Sequence, residues 1–163
     1  MDKLDLAKKY KPYYTAKATP ELVTIESAHF LSLTGKGDPS EKKFAEKLAA
    51  LYSTVYTLKF ACKAIGKDFV VAKLEGLWSF DEKDFGQFSM TEAPQKIPRS
   101  EWNYRMMIRL PDDVTQDQVS DATDTVIRKK GLSFVQDIEL YAMNEGLVLQ
   151  MLHVGSFDLE PVT

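Results

Sequence analysis

Apolar residues recur along the chain at spacings that divide it into strands and helices. The run from Leu22 to Leu33 is rich in strand-forming residues and ends at the turn sequence TGKGDP, which predicts a strand. From Ser40 to Gly66 apolar residues return every three or four positions, which predicts a long amphipathic helix with Ser40 as its N-cap. Two strands are predicted next, at DFVVAKLEGLWSF and at WNYRMMIRLP, where apolar and polar residues alternate. The predicted order is strand, helix, strand, strand.

The C-terminal part is predicted to add a helix and two more strands. The segment TQDQVSDATDTVIRKKG begins at the N-cap candidate Thr115 and ends at Gly131, and its thin apolar stripe predicts a helix outside the core. The runs FVQDIELYAM and GLVLQMLHV flank the turn NEG at residues 144–146, which predicts a hairpin. Together these elements indicate an α+β fold with a long helix packed on an antiparallel sheet.

Two segments of the chain share one design. FLSLTGKGDPSEKKF and LQMLHVGSFDLEPVT both contain an apolar strand, a glycine turn with an aspartate, and a proline. The first copy runs on into a helix and two strands, whereas the second reaches Thr163 where its helix would begin. We therefore expect an arm over residues 1–21 and one domain over 22–163, with an incomplete second repeat and poorly anchored residues after Gly155. An unpaired sheet edge would allow a domain-swapped homodimer.

Composition and charge narrow the classes of partner. The 21 basic and 24 acidic residues give a net charge of -3 with no segregated basic face, so no nucleic-acid partner is expected. No segment has the apolar core of a signal peptide or the length to span a bilayer, and the single cysteine suits a reducing compartment. The histidines and the cysteine form no cluster with metal-ligand spacing, so neither a metal nor a cofactor is expected. The expected location is the cytoplasm.

Three motifs in a fixed order resemble those of the GyrI-like small-molecule-binding family, in its Listeria-type branch. They are LEGLW at 74–78, WNYRMMIRLPDDV at 102–114 and EGLVLQMLHVGSFDLEP at 145–161. The resemblance covers most of residues 22–163. It implies a pseudo-twofold pair of strand-helix-strand-strand units whose sheets form a concave groove for hydrophobic aromatic compounds, often cationic ones. A subset of members that resembles this branch hydrolyses the strained cyclopropane of DNA-alkylating natural products.

The chain departs from the family pattern at two places. The family usually has Gly-Pro-Tyr where this chain has Gly155, Ser156 and Phe157, so a phenol that would hydrogen-bond ligand or water is absent. The incomplete second repeat would also remove one wall of the groove.

Glu75 is the candidate catalytic residue. A carboxylate at this position of an apolar strand is costly to bury without a partner, which indicates a site. Strict alternation would put Glu75 and Trp78 on opposite faces, so Gly76 is expected to mark a bulge that brings them together. Glu75 would then hold or deprotonate an attacking water between Trp78 and Trp102, with a pKa raised by desolvation. The alternative is a solvated edge-strand glutamate beside a core tryptophan.

Seven further residues are candidate ligand contacts. Aromatic rings near loops can stack on a flat ligand, although those of the alternating strand fit the core equally well. His153 fits a hydrogen-bonded structural role as well as a ligand contact. The resemblance implies that Glu160 faces the groove. The candidates are Trp78, Trp102, Tyr104, Gln150, His153, Phe157 and Glu160.

Two functions from different classes follow from these residues. The first is cytosolic binding of a hydrophobic aromatic small molecule, extended by hydrolytic opening of a strained cyclopropane. The alternative is a ligand-sensing or protein-interaction module without catalysis, whose groove docks a partner chain.

Overall fold

The computed structural model describes residues 3–89, 91–156 and 160. Its strands are β1 (Glu21–Ile25), β2 (Ala28–Lys36), β3 (Leu74–Ser79), β4 (Asn103–Arg109), β5 (Glu139–Met143) and β6 (Gly146–Gln150). Its helices are α1 (Leu6–Lys9), α2 (Lys11–Tyr14), α3 (Lys42–Ala64), α4 (Glu82–Phe85), α5 (Ala93–Lys96) and α6 (Gln116–Lys130), with short 3₁₀ turns at Arg99–Glu101 and Val135–Asp137. The fold is α+β, as predicted, and β2, α3, β3 and β4 follow in the predicted order. Within the described ranges no helix is long and apolar enough to cross a membrane.

The four-stranded antiparallel sheet has the order β3-β4-β2-β5, and the long helix α3 covers one of its faces. Leu51, Val55 and Leu58 of α3 are fully buried because they return to the same side of the helix every three or four residues. The helix begins one residue later than predicted, with Glu41 at the N-cap. The amide of Ser40 instead donates to the side chain of Asp38 at 2.9 Å, which keeps Ser40 in the preceding turn.

Helix α6 belongs to the core, contrary to the expectation of an outlying helix. Its ends agree with the sequence: Thr115 and Gln118 form a capping box, and Gly131 adopts the left-handed conformation at the C-cap. Its thin apolar stripe, Val119, Ala122 and Val126, is buried against the same core as α3. A narrow stripe of small residues is sufficient here because α6 packs closely beside α3.

The hairpin predicted around NEG is wrong. β5 pairs with β2, and β6 pairs with β1. The second pairing continues the register of the first, so the two together form one long ladder with a bend between them. Residues 144–145 face residues 26–27 at the bend, and the positive φ of Gly146, 67°, directs the chain onward. The turn-forming residues therefore kink two paired strands together, since each half already has a partner and no reversal is needed.

The two faces of the sheet have different neighbours. The face toward the helices, called the helix face, carries Leu31, Leu33, Met106 and Ile108, all in the main core. The opposite face, called the outer face, carries a second cluster of Ala28, Phe30 and Met107, against which Tyr13, Tyr141 and Met143 pack.

The N-terminal segment lies on the molecule as an arm. The backbone of Leu4 bonds residues 68 and 70, and Leu6 is almost fully buried. At its other end the carbonyl of Lys17 accepts a hydrogen bond from the amide of Leu152 at 2.7 Å. The arm therefore joins the α3–β3 connection to the end of β6. Of the residues expected to be poorly anchored after Gly155, residues 157–159 and 161–163 lie outside the described part of the chain.

Gly35 lies in β2 opposite Tyr104, at a point where a side chain has no room. A Cβ atom there would overlap the phenol of Tyr104 and lie 2.6 Å from Nζ of Lys47. Lys47 is buried, and its ammonium donates to the carbonyl oxygen of Thr34 at 2.6 Å. Because residue 35 has no side chain, the phenol of Tyr104 and the ammonium of Lys47 both fit beside it.

We expect Gly35→Ala to lower the free energy of unfolding by about 1–3 kcal/mol, because overpacking displaces Tyr104 and Lys47 together. Chemical denaturation measures this change. Thr34→Ser, at the exposed neighbouring position, is the control and should change the free energy by less than about 0.5 kcal/mol. A Gly35→Ala variant as stable as the parent would contradict this packing.

Candidate functional site

The side chain of Glu75 belongs to the outer face. β3 pairs with β4 without interruption, so Glu75 lies opposite Met107 and Leu77 lies opposite Arg105. The bulge expected at Gly76 is wrong, because the register continues through that residue. Strict alternation therefore holds, and Trp78 lies on the other face of the strand from Glu75.

The carboxylate of Glu75 is buried under the arm with one oxygen anchored. The hydroxyl of Tyr13 donates a hydrogen bond to Oε2. Oε1 is also buried, but it has no hydrogen-bond partner within the described residues. Burial is the largest influence on this group and raises the pKa of Glu75, while the Tyr13 hydrogen bond and the charge of Arg109 oppose that rise. The negative charge of Glu145, in the bend of the ladder, raises it further.

Tyrosines of the arm and an arginine of β4 surround this carboxylate. The guanidinium of Arg109 lies 3.9 Å from the ring centre of Tyr10 and 4.8 Å from that of Tyr13. The rings of Tyr13 and Tyr14 meet edge to face at 4.9 Å. Burial raises the pKa of Tyr14 to about 12 and that of Tyr13 still higher, so both phenols keep their protons at neutral pH.

Three buried polar atoms of this group have no hydrogen-bond partner in the described part of the chain. They are Oε1 of Glu75, which is an acceptor, Nε of Arg109, which is a donor, and the hydroxyl of Tyr14. The negative charge of Glu75 adds to the effect of burial in raising the pKa of Tyr14. Because an unsatisfied buried polar atom lowers stability, such atoms are positions where a water or a polar atom of a ligand is expected to form a hydrogen bond.

An open cleft of about 470 Å³ lies on the same face of the sheet. Leu77 and Ser79, which follow Glu75 on the outer side of β3, form part of its wall. The other lining residues are Thr34, Gly35, Asn103, Tyr104 and Arg105. Since Leu77 is two residues from Glu75, the cleft begins about 7 Å along the strand from the carboxylate.

Arg105 is held rigidly at the wall of this cleft. Its guanidinium lies 4.0 Å from the ring centre of Tyr141, donates to Oγ of Ser32 at 2.9 Å, and forms an ion pair with Glu139. A planar guanidinium fixed in this way offers a preformed surface for stacking on a flat ligand.

The aromatic candidates are not brought together with Glu75. Trp78 is on the helix face, 45% exposed, with its ring 6.3 Å from Phe44 and 5.5 Å from Tyr104. Tyr104 is only 4% exposed and belongs to the main core. Trp102 packs edge to face on Phe80 at 5.4 Å, and its indole nitrogen donates to the carbonyl of Ile97 at 3.4 Å. Trp78 and Trp102 therefore do not enclose Glu75 as the sequence led us to expect.

Of the C-terminal candidates, Gln150 contacts the end of the arm. The side chain of Gln150 donates to the carbonyl oxygen of Thr15 at 3.2 Å. Nε2 of His153 lies 2.9 Å from the carbonyl oxygen of Ser156, and Glu160 is exposed. Phe157 lies outside the described residues. A ligand contact at these four positions stays a prediction.

Sequence reasoning missed the arm residues of the site. Tyr10, Tyr13 and Tyr14 fall in the segment 1–21 that the sequence predicts to be an arm, but that prediction does not place them around Glu75. Their spacing of three and four positions is a signal, because it places the rings on one side of a helical segment. Within residues 3–89, 91–156 and 160, no three acidic, histidine or cysteine side chains are grouped as a metal site.

Comparisons with known proteins identify similar structures. No protein-family model and no curated protein matches the chain. A solved structure of an uncharacterized conserved protein from Listeria innocua is 31% identical, with a TM-score of 0.84 over 97% of this chain and 75% of that one. A hydrolase from the same organism is 30% identical, with a TM-score of 0.79 over 98% of this chain and 75% of that one. A further structure of a Listeria innocua hydrolase is 31% identical, with a TM-score of 0.81 over 99% and 76%.

The raised pKa of Glu75 predicts a specific dependence of stability on pH. The folded protein holds this proton to higher pH than the unfolded chain does, so the contribution of Glu75 to stability is full at low pH and is lost as pH rises through the raised pKa. Glu75→Gln removes that dependence and keeps an acceptor for Tyr13. We expect the difference between the melting temperatures, that of Glu75→Gln minus that of the parent, to increase as the pH rises from about 4 to about 8.

Thermal unfolding followed by circular dichroism across this range measures the difference. Glu82→Gln in α4, where the side chain is exposed, is the matched control and should show no trend with pH. A difference between Glu75→Gln and the parent that stays constant with pH would show that the Glu75 carboxyl titrates alike in the folded and unfolded chains.

Proposed function

This chain belongs to the family of the three Listeria innocua proteins, two of them hydrolases, and we propose that it binds flat hydrophobic molecules on its outer face and opens a strained ring in them by hydrolysis. The family motifs around Glu75 and at 102–114 and 145–161 support a GyrI-like assignment within that family. The ligand class is a hydrophobic aromatic compound with a cyclopropane conjugated to a carbonyl group.

One observation carries the proposal: a buried carboxylate has one oxygen without a hydrogen-bond partner in the described residues, and an open cleft begins about 7 Å along the strand from it. Oε1 of Glu75 is buried and without a partner in the described residues, whereas Oε2 is held by Tyr13. A carboxylate in this state is a suitable acceptor for a proton of water, since burial raises its pKa toward the working range of a general base. General base catalysis contributes about 10²–10⁴-fold, which is substantial for a ring already activated by strain.

The reaction needs only water as a second reactant. The oxygen of water forms a bond to a cyclopropane carbon, and the bond from that carbon to the ring carbon joined to the conjugated system breaks. Its electron pair passes through the conjugated system to the carbonyl oxygen, which takes up a proton. Glu75 accepts a proton from the attacking water and later returns it to solvent. The product contains the substrate and one water molecule, with no oxidation or reduction.

The cleft supplies the surface that would hold such a substrate. Leu77 offers an apolar contact, and the fixed guanidinium of Arg105 offers a plane on which a ring system can stack. Because the cleft begins about 7 Å from Glu75, a ring system lying on Leu77 and Arg105 can bring its reactive carbon to the carboxylate. Polar groups of Ser79 and Asn103 at the far end can orient the ligand.

The alternative function is a binding or interaction module without turnover. The specific observation in its favour is the apolar surface of the bent ladder, where Leu22, Leu147 and Leu149 are 67–69% exposed. Exposed apolar side chains on neighbouring strands are typical of surfaces that contact another chain. In this alternative the ligand would bind in the cleft and dissociate without being chemically changed.

Incubation with a cyclopropanoid alkylating compound tests the proposal. Mass spectrometry should show a product heavier than the substrate by one water, formed faster with the protein than without it. Glu75→Gln should slow the reaction by about 10²–10⁴-fold, because the amide cannot accept the proton. Glu82→Gln, the exposed control, should react like the parent.

Binding of the same compound is measured separately by equilibrium dialysis. If the parent protein binds the compound but does not change the mass of the compound, the module without catalysis is favoured. Equal rates for Glu75→Gln and the parent would contradict the assignment of Glu75 as the base.

A further inference from the structure

We propose that Tyr13 is the positioning residue of Glu75: its hydroxyl fixes one carboxylate oxygen so that the other is presented to the bound molecule. The inference rests on the proposed function in taking Glu75 as the reactive group. Tyr13 lies 62 positions away in sequence, in α2 of the arm. The arm would thus be part of the site as well as a cover for the sheet.

The ring of Tyr13 is held in place by independent contacts. It packs against the outer-face cluster that contains Phe30 and Met107. The guanidinium of Arg109 lies 4.8 Å from its centre, and the ring of Tyr14 meets it edge to face at 4.9 Å. A hydroxyl carried on a ring that is fixed in this way is a preorganised donor, which is the requirement for orienting a catalytic group.

The hydrogen bond resolves an ambiguity that a free carboxylate would have. The two oxygens of a glutamate are chemically equivalent, and the terminal torsion is broad, so an unanchored side chain can exchange them. Donation from Tyr13 to Oε2 removes that freedom and leaves Oε1 without a protein partner in the described residues. The buried Oε1 is then the one carboxylate oxygen left to accept a hydrogen bond from a water or a ligand atom.

The direction of donation is settled by the charges around the pair. The groups that act on Glu75 are Tyr13 and Tyr14 from α2, Arg109 from β4, and Glu145 from the bend. Burial and the neighbouring carboxylates raise the pKa of Tyr13 well above its usual range, so its phenol keeps the proton that it donates. This hydrogen bond in turn lowers the pKa of Glu75 against the effect of burial. Tyr13 therefore favours the charged carboxylate, the form that can act as a base.

The test observes Glu75 directly in the full chain, with its side-chain carboxyl carbon labelled with ¹³C and titrated by NMR. Tyr13→Phe keeps the ring and removes the donor. We expect the midpoint of Glu75 to move upward by about one pH unit, since a carboxylate that accepts two or three hydrogen bonds titrates about two units below its usual value. Tyr10→Phe is the matched control, because the Tyr10 hydroxyl donates to Asp112 at 2.6 Å, and it should leave the midpoint in place.

A second variant keeps the inference testable if Tyr13→Phe does not fold. Replacing Tyr13 alone by 3-fluorotyrosine keeps the ring and its hydroxyl but makes the hydroxyl a stronger donor. The midpoint of Glu75 should then move downward. An unchanged midpoint in either Tyr13 variant would overturn the positioning role, whatever happens to stability.

Activity gives an additional readout that separates this inference from the proposed function. If ring opening occurs, the acidic limb of kcat/KM in Tyr13→Phe should move upward by the same amount as the NMR midpoint, while KM stays near that of the parent. If ring opening does not occur, the NMR shift still supports the role of Tyr13, and the proposed function alone fails. If the parent opens the ring but Tyr13→Phe does not shift the midpoint of Glu75, the proposed function is supported and the positioning role of Tyr13 is contradicted.

Discussion

The site depends on the burial of one carboxylate, that of Glu75, between a sheet and an arm. Removing a charge from water is costly unless the protein replaces the lost contacts, and here the replacement is incomplete. Tyr13 satisfies one oxygen, Arg109 supplies a positive charge nearby, and the other oxygen has no partner in the described residues. An unsatisfied buried acceptor lowers stability, and polar atoms left in this state are typical of functional sites.

Three parts of the fold cooperate in creating this environment. The unbroken register of β3 and β4 puts Glu75 on the outer face, away from the helices. The arm then covers that face with its tyrosines, which are packed on Arg109 and on the cluster around Phe30. The bent ladder brings the charge of Glu145 to act on the same carboxylate. The helix face, by contrast, is a conventional core and gives the sheet its rigidity.

The parts of the structure that depend on local sequence were predictable. The alternation of WNYRMMIRLP, the long apolar stripe of α3 and the caps of α6 each follow from residues within a few positions of one another. The hairpin prediction failed at residues 144–146 because turn residues cannot show whether the strands on either side pair with each other or with distant partners. Tyr13 was missed for the same reason, since its contact with Glu75 spans 62 positions.

The central claim is that Oε1 of Glu75 is the atom that meets water or ligand. A high-resolution crystal structure of the full chain, soaked with a planar aromatic compound, tests it most directly. The account predicts an ordered water or a ligand atom within hydrogen-bond distance of Oε1, with the aromatic system lying against Leu77 and Arg105. A ligand bound on the helix face at Trp78 and Phe44, with Oε1 dry and enclosed by protein, would contradict it.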